Sequence, residues 1–269
     1  MRSLSGFVKK CWYAAARRRL ESSVARRPPR ISLERSGWQL SQKEPTAFYF
    51  ECLRYFYQEL PSEIRAHRAY FCENERGFGE NPFHVMWWLL FREFKPANFL
   101  EIGVFRGQTI SLAALCARLL TSRCEIYGIS PFSAAGDSVS DYRKDVDYLA
   151  DTIANFDQFS LPHPHLLRAY STERVAADLV SSKEWEVIYI DGNHDYEVAS
   201  KDWELCSSHA KRDGIIVLDD SALATRFHPP AYAATRGHVG PSRLAQEIDG
   251  SRFKEILQVG HNRVFQKLV

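Results

Sequence analysis

A doubly wound parallel α/β sheet is what this sequence predicts, on three observations. From residue 97 onward, short apolar runs alternate with segments of helical period. The first of these runs ends in a glycine turn, Glu101-Ile102-Gly103-Val104-Phe105-Arg106-Gly107, and the chain closes on two further apolar runs split by Gly260-His261-Asn262. Alternation of this kind marks strands joined by crossover helices, and a short split marks an antiparallel hairpin.

Taken in order, the expected strands are Asn98 to Ile102, Glu125 to Ile129, His165 to Arg168, Glu186 to Ile190 and Gly214 to Leu218, with Phe253 to Val259 and Arg263 to Leu268 as the closing hairpin. Five parallel strands plus a hairpin make a Rossmann-like sheet. Before it, apolar residues at Tyr49, Cys52, Leu53, Phe56, Tyr57 and Leu60 recur at helical spacing, and a second helix is expected from Asn81, with Pro82 in its first turn and Pro96 ending it. These helices (residues 43–96) are expected to cap the substrate side of a catalytic domain over 97–269. Residues 1–42 read as a basic extension and linker, the linker running from Pro28-Pro29 to about Glu44.

Composition sets the outer bounds. With 269 residues, 45% hydrophobic and 13% aromatic, the chain can bury one sizeable core. The formal charge of +2 balances 35 Lys and Arg against 33 Asp and Glu, with much of the excess before residue 31, which argues against a general nucleic-acid surface. Six cysteines (11, 52, 72, 116, 124 and 206) show no metal-knuckle spacing and fit a reduced, cytoplasmic protein. No run of about 18 apolar residues marks a transmembrane segment. The N-terminus carries Arg17-Arg18-Arg19 and Arg26-Arg27 beside Phe7, Cys11, Trp12 and Tyr13, without the apolar centre of a signal peptide. It reads as a solvated, frayed extension or, as the second choice, a helix touching an anionic membrane surface or a partner. A homo-oligomer is left open.

The glycine turn lies where open α/β sheets bind ligands, at the carboxyl end of the first strand. Gly103 lets a ligand approach the backbone, Gly107 permits sharp entry into the next helix, and Glu101 can accept hydrogen bonds from a cationic ligand or from backbone amides. The spacing is neither GxGxxG nor a phosphate-cradling GK[ST], which disfavours phosphate recognition. A turn without any ligand is the plain alternative.

Chemistry concentrates at the ends of two later strands. The run Val187-Ile188-Tyr189-Ile190 delivers Asp191-Gly192-Asn193-His194-Asp195-Tyr196, and Ile215-Ile216-Val217-Leu218 delivers Asp219-Asp220-Ser221. Adjacent parallel strands bring these ends together. Asp191, Asp219 and Asp220 then form an oxygen-rich cluster suited to a hard cation such as Mg²⁺, and His194 is placed to take a proton from a hydroxyl. Taken singly, Asp195 reads as a helix cap and the acidic doublet as solvated loop charge. The joint placement favours function.

These motifs, FLEIGVFRGQTI, YIDGNHDYEVASKDWELC, GIIVLDD and GHNRVFQKL, resemble the class I methyltransferases that use S-adenosylmethionine (SAM), and within them the macrocin- and mycinamicin-type sugar O-methyltransferases. The hairpin after five parallel strands is the methyltransferase variant of the Rossmann-like sheet. The resemblance covers residues 97–269 and implies Mg²⁺ on Asp191, Asp219 and Asp220, with His194 and Asp191 as the catalytic residues. It implies a SAM site at Glu101, Gly103, Gly107, Ser130, Tyr170, Ser171 and Asp191, with Glu101 and Gly103 along the methionine part and Tyr170-Ser171 at the adenine edge. The second strand departs from the pattern, ending in Ser130 where such enzymes carry an acidic residue on the ribose hydroxyls. The expected acceptor is a hydroxylated small molecule such as a sugar or glycoside. A catalytically silent SAM-binding or partner-binding module is the alternative, and the Gly/Pro-rich stretch His228 to Pro241, including Arg236 and His238, is expected to cover the acceptor.

Overall fold

Alternation along single strands decides how the sheet is covered. In β1 (Asn98–Ile102) Phe99 faces one side and Leu100 and Ile102 the other. The same split runs through β4 (Trp185–Ile190), with Val187 and Tyr189 against Ile188 and Ile190, and through β5 (Ala210–Leu218), with Ile215 and Val217 against Ile216 and Leu218. Both faces are apolar, so both must be covered by helices. The structure, a computed structural model describing residues 4–230 and 234–269 with side chains from residue 12 onward, meets that demand.

The sheet is completed by β2 (Glu125–Ser130), β3 (His165–Arg168), β6 (Phe253–Val259) and β7 (Asn262–Lys267), in the order β3-β2-β1-β4-β5-β7-β6. The first five strands are parallel, and β7 pairs antiparallel with both β5 and β6. The Rossmann-like methyltransferase sheet expected from the sequence is therefore present. β5 begins four residues earlier than its apolar run, because Lys211, Arg212 and Asp213 are exposed and carry no hydrophobic signal.

On one face lie α3 (Pro45–Gln58), α5 (Asn81–Phe94), α6 (Gln108–Leu119) and α7 (Tyr148–Gln158). Trp87 of α5 is the hub of this side, fully buried with its ring 5.4 Å from Phe99 and 5.2 Å from Tyr189. Truncating such a residue costs about 3–5 kcal/mol. The opposite face holds α8 (Arg174–Ser181), α9 (Tyr196–His209) and α10 (Val239–Glu247).

The segment before the sheet is more ordered than its composition suggests. Instead of a frayed extension, residues Leu4–Ala25 form a helix, α1, whose Val24 is buried while Arg18 and Arg19 stay exposed. The side chains of Phe7 and Cys11 lie outside the described residues. The polar stretch 28–44 is docked rather than extended, since Leu33 and Trp38 enter the same core as the sheet and Trp38 donates its indole N–H to the Leu33 carbonyl at 2.9 Å. Polar contacts add to these anchors, among them Arg35 donating to Gln266 and Ser41 Oγ accepting the Gln258 N–H, and α2 (Leu40–Lys43) follows. A further helix, α4 (Ser62–Cys72), precedes a loop, residues 77–80, that reaches the carboxyl edge of the sheet. Among the described residues no helix is long and apolar enough to cross a membrane, and Cys52, Cys72, Cys116, Cys124 and Cys206 are free thiols.

Candidate active site

Backbone ladders set out the site at one edge. Beyond the last paired residues, Gly103 N–H donates to the Ile129 carbonyl (2.9 Å), Asp191 N–H to Ile102 (2.9 Å) and Asp219 N–H to Ile190 (3.0 Å). The ends of β1, β4 and β5 are thus stepped one behind another, and the predicted convergence of Gly103, Asp191 and Asp219 follows from register.

Gly103 has φ +99° and lies so close to β4 that a Cβ would stand 2.0 Å from the Asp191 carbonyl oxygen. No other residue fits there. Gly107, at φ +82°, is the N-cap residue of α6 and packs on Thr152. It shapes the turn but lines neither cavity at this edge.

Two cavities adjoin here, of about 190 and 420 Å³, and share Gly103, Phe105, Tyr142 and Asp191. The smaller cleft runs between the β1 and β2 ends and is lined by Ser130, Tyr170 and Ser171, with Asp137 at its side. The Ser130 hydroxyl donates to the Val104 carbonyl (2.8 Å) and accepts the Phe132 N–H (3.3 Å), which leaves it one acceptor lone pair and no proton to offer a ligand. Ser171 contacts Asp202, a buried carboxyl of α9 that burial raises to about 6.

The larger chamber holds Glu101, His194, Asp219 and Asp220, together with Glu80, Gln108, His238 and His261, which the sequence reading had not placed there except for His238. Glu101 is 3% exposed; burial raises its carboxyl well above the usual range, the N–H of Ile110 in α6 works against this, and Oε2 has no hydrogen-bond partner.

His194 is gripped from both sides. Its Nδ1 lies 2.6 Å from Asp137 Oδ2 and its Nε2 2.9 Å from Asp220 Oδ2. Burial lowers its affinity for a proton, but the two carboxylates outweigh this and raise the imidazole to about 9. Burial works upward on Asp137, yet hydrogen bonds from the His194 and Val139 backbone and from the imidazole bring it down to about 2. Sequence reasoning missed Asp137, whose only signal was a long loop after β2.

Asp191 and Asp219 adjoin. Burial and then the Asp219 charge push Asp191 well above the usual carboxylate range, so it holds the proton. Burial also acts upward on Asp219, but His261 draws it down to about 2. The His261 ring, opposed by burial and favoured by Asp219 and Asp220, is raised to about 10.

Asp220 adopts φ +50°, an uncommon conformation for a non-glycine residue and one found at functional sites. The following loop stabilises it. His238 N–H donates to the Asp220 carbonyl at 2.8 Å, and Gly237, at φ +91°, packs where a Cβ would clash with the Asp220 backbone. His238 lines the chamber, whereas Arg236 turns back onto the carbonyls of Leu223 and Thr225. Residues 231–233 of the predicted covering loop lie outside the described residues; the stretch ends earlier than expected because Gly240 and Pro241 enter the first turn of α10. Asp195 occupies the N-cap position of α9, but its carboxylate accepts from Ser138 instead of capping.

Residues 100–221 match a family model described as a methyltransferase domain. No curated protein sequence matches the chain. Among solved structures, the SAH-bound methyltransferase PaMTH1 of Podospora anserina is 16% identical, with a TM-score of 0.56 over 84% of this chain and 96% of that one. An O-methyltransferase of Bacillus cereus in complex with SAH is 11% identical, with a TM-score of 0.52 over 87% of this chain and 100% of that one. The segment from β1 to the acidic doublet after β5 is thus similar to a methyltransferase domain, and the chain shares the Rossmann-like fold of these solved structures.

Proposed function

We propose that this chain is a SAM-dependent O-methyltransferase, assisted by a divalent cation such as Mg²⁺, that methylates a hydroxyl of a sugar or similar small polar acceptor. The observation that carries the reading is the junction of the two cavities at Gly103 and Asp191, with His194 on the chamber wall.

The smaller cleft suits SAM. Where the cleft meets the larger chamber at Gly103, the partnerless, enclosed Oε2 of Glu101 on the chamber side offers an acceptor for an ammonium group, and Tyr170 and Ser171 form the far edge of the cleft. SAM supplies a methyl group already activated on a sulfonium, so the protein's task is alignment and proton removal. Asp191, Asp219 and Asp220 would hold the cation. Their oxygens are hard donors, and Asp219 Oδ1 is enclosed without a hydrogen bond. A cation there makes a hydroxyl proton easier to remove.

His194 is the base. Asp137 fixes the proton on Nδ1, which leaves Nε2 as the atom that accepts the hydroxyl proton. In the structure Nε2 sits against Asp220, so a hydroxyl entering the chamber must displace that contact. Gln108, whose Nε2 lacks a partner, together with Glu80 and His238, suits a hydroxyl-rich acceptor, and Phe78, Phe83 and Phe105 suit its carbon-bound face. The free thiols agree with a reducing cytoplasm.

The test is incubation with methyl-labelled SAM and a panel of sugars, glycosides and other hydroxylated acceptors, with and without EDTA. Chelation-sensitive label on oxygen is the expected result; SAM binding without any transfer would favour a silent module.

A further inference from the structure

We propose that His261 is itself a metal ligand through Nε2, so that Asp219, Asp220 and His261 form a mixed nitrogen–oxygen centre that takes a first-row transition ion ahead of Mg²⁺. This rests on the cation-assisted reading above and changes both its ligand set and its preferred ion.

His261 comes from outside the parallel strands. It sits at the tip of the β6–β7 hairpin after Gly260, which takes φ +63°, and the tip is fastened beside the acidic doublet by the Ser221 N–H donating to the His261 carbonyl at 2.9 Å. The imidazole Nε2 thereby stands 3.3 Å from Asp219 Oδ1 and 3.9 Å from Asp220 Oδ1. One ligand atom from each residue lies within 4.8 Å of the other two. Neighbouring ligands about 2.1 Å from a shared cation stand roughly 3.0–3.5 Å apart, so small side-chain adjustments close the centre.

The enclosed Asp219 Oδ1 makes no well-aligned hydrogen bond although His261 Nε2 stands 3.3 Å away, and a shared cation would satisfy both atoms. The other ring nitrogen of His261 lies 3.4 Å from Thr235 Oγ1, the kind of outer contact that orients a ligating imidazole. His194 occupies the opposite oxygen of Asp220, Oδ2, at 2.9 Å, so ligation by His261 on the Oδ1 side leaves the base in place. His238 approaches that same Oδ2, at 3.5 Å, and competes with His194 instead of completing the Asp219–Asp220 pair. An imidazole in the set favours Mn²⁺, Co²⁺ or Zn²⁺ over Mg²⁺, which prefers oxygen ligands and retained waters.

The experiment is electron spin echo envelope modulation on the full chain loaded with Mn²⁺, paired with calorimetric titrations of Co²⁺ and Mg²⁺. The wild type should show modulation from a directly bound nitrogen, retained in His238→Ala and lost in His261→Ala and His261→Gln. Co²⁺ affinity should fall at least about tenfold in the His261 variants, with Mg²⁺ affinity held within about twofold. Absence of nitrogen modulation in the wild type, or its persistence in the His261 variants, overturns the assignment while cation binding preserves the reading of the site. Failure of every cation to bind the wild type overturns both. Where His261→Ala does not fold, His261→Gln carries the same comparison, and modulation lost in His238→Ala also overturns the assignment.

Discussion

His194 donates two hydrogen bonds to a single oxygen, Asp137 Oδ2: its backbone N–H at 2.8 Å and its Nδ1–H at 2.6 Å. This pairing fixes ring orientation and tautomer together, and it leaves Nε2 as the atom that exchanges protons. Because Asp137 also stabilises the imidazolium, Asp137→Asn should lower the His194 pKa from about 9 in the cation-free protein, read by NMR of the ring nitrogens. A base must be neutral to act, so the alkaline rise of kcat/KM should move to lower pH in the variant as its maximum drops. An unmoved profile would show that Asp137 does not act through His194.

Glu101 offers a test of the cofactor cleft that separates binding from stability. Its folded-state pKa is raised, so the folded protein holds this proton above pH 4.5 where the unfolded chain releases it, and the carboxyl weakens folding as pH rises. Glu101→Gln should therefore melt at an equal or higher temperature at neutral pH. SAM affinity should fall about 10- to 100-fold, the loss expected when a hydrogen bond to a charged group is removed. A variant that is destabilised but binds SAM normally would reverse the assignment.

Between pH 7.5 and pH 5, a buried histidine pair should weaken folding as acid is added. His67 of α4 is fully buried, with Nε2 2.9 Å from Ser111 Oγ and Nδ1 3.3 Å from His84 Nε2. Burial lowers its pKa from 6.5 to about 3, and burial also lowers that of His84. The unfolded chain binds these protons below pH 6.5 and the folded protein does not, so stability is lost as pH falls. His67 alone accounts for about 2 kcal/mol between pH 7.5 and pH 5. Denaturant titrations at the two pH values should show that loss shrinking by a similar amount in His67→Phe.

Much of this arrangement was legible in the sequence because strands announce their ends. The apolar runs before Glu101, Asp191 and Asp219 set the register, and parallel pairing did the rest. What escaped was carried by loops whose partners are distant along the chain. Asp137 meets His194 across 57 residues, and His261 reaches Asp219 only because the hairpin packs on β5. Neither has a periodicity to reveal it. Stretch 28–44 misled because its two buried apolar side chains, Leu33 and Trp38, are outnumbered by polar neighbours. Ser130 stood in the right place, but its hydroxyl serves the turn it sits in.

The role of His194 can be measured by single-turnover transfer of labelled methyl from SAM to an accepted hydroxyl compound, comparing wild type with His194→Ala at saturating SAM. The transfer step should slow about a hundredfold to ten-thousandfold, with SAM affinity held within about twofold. Transfer at the wild-type rate would contradict a base at His194.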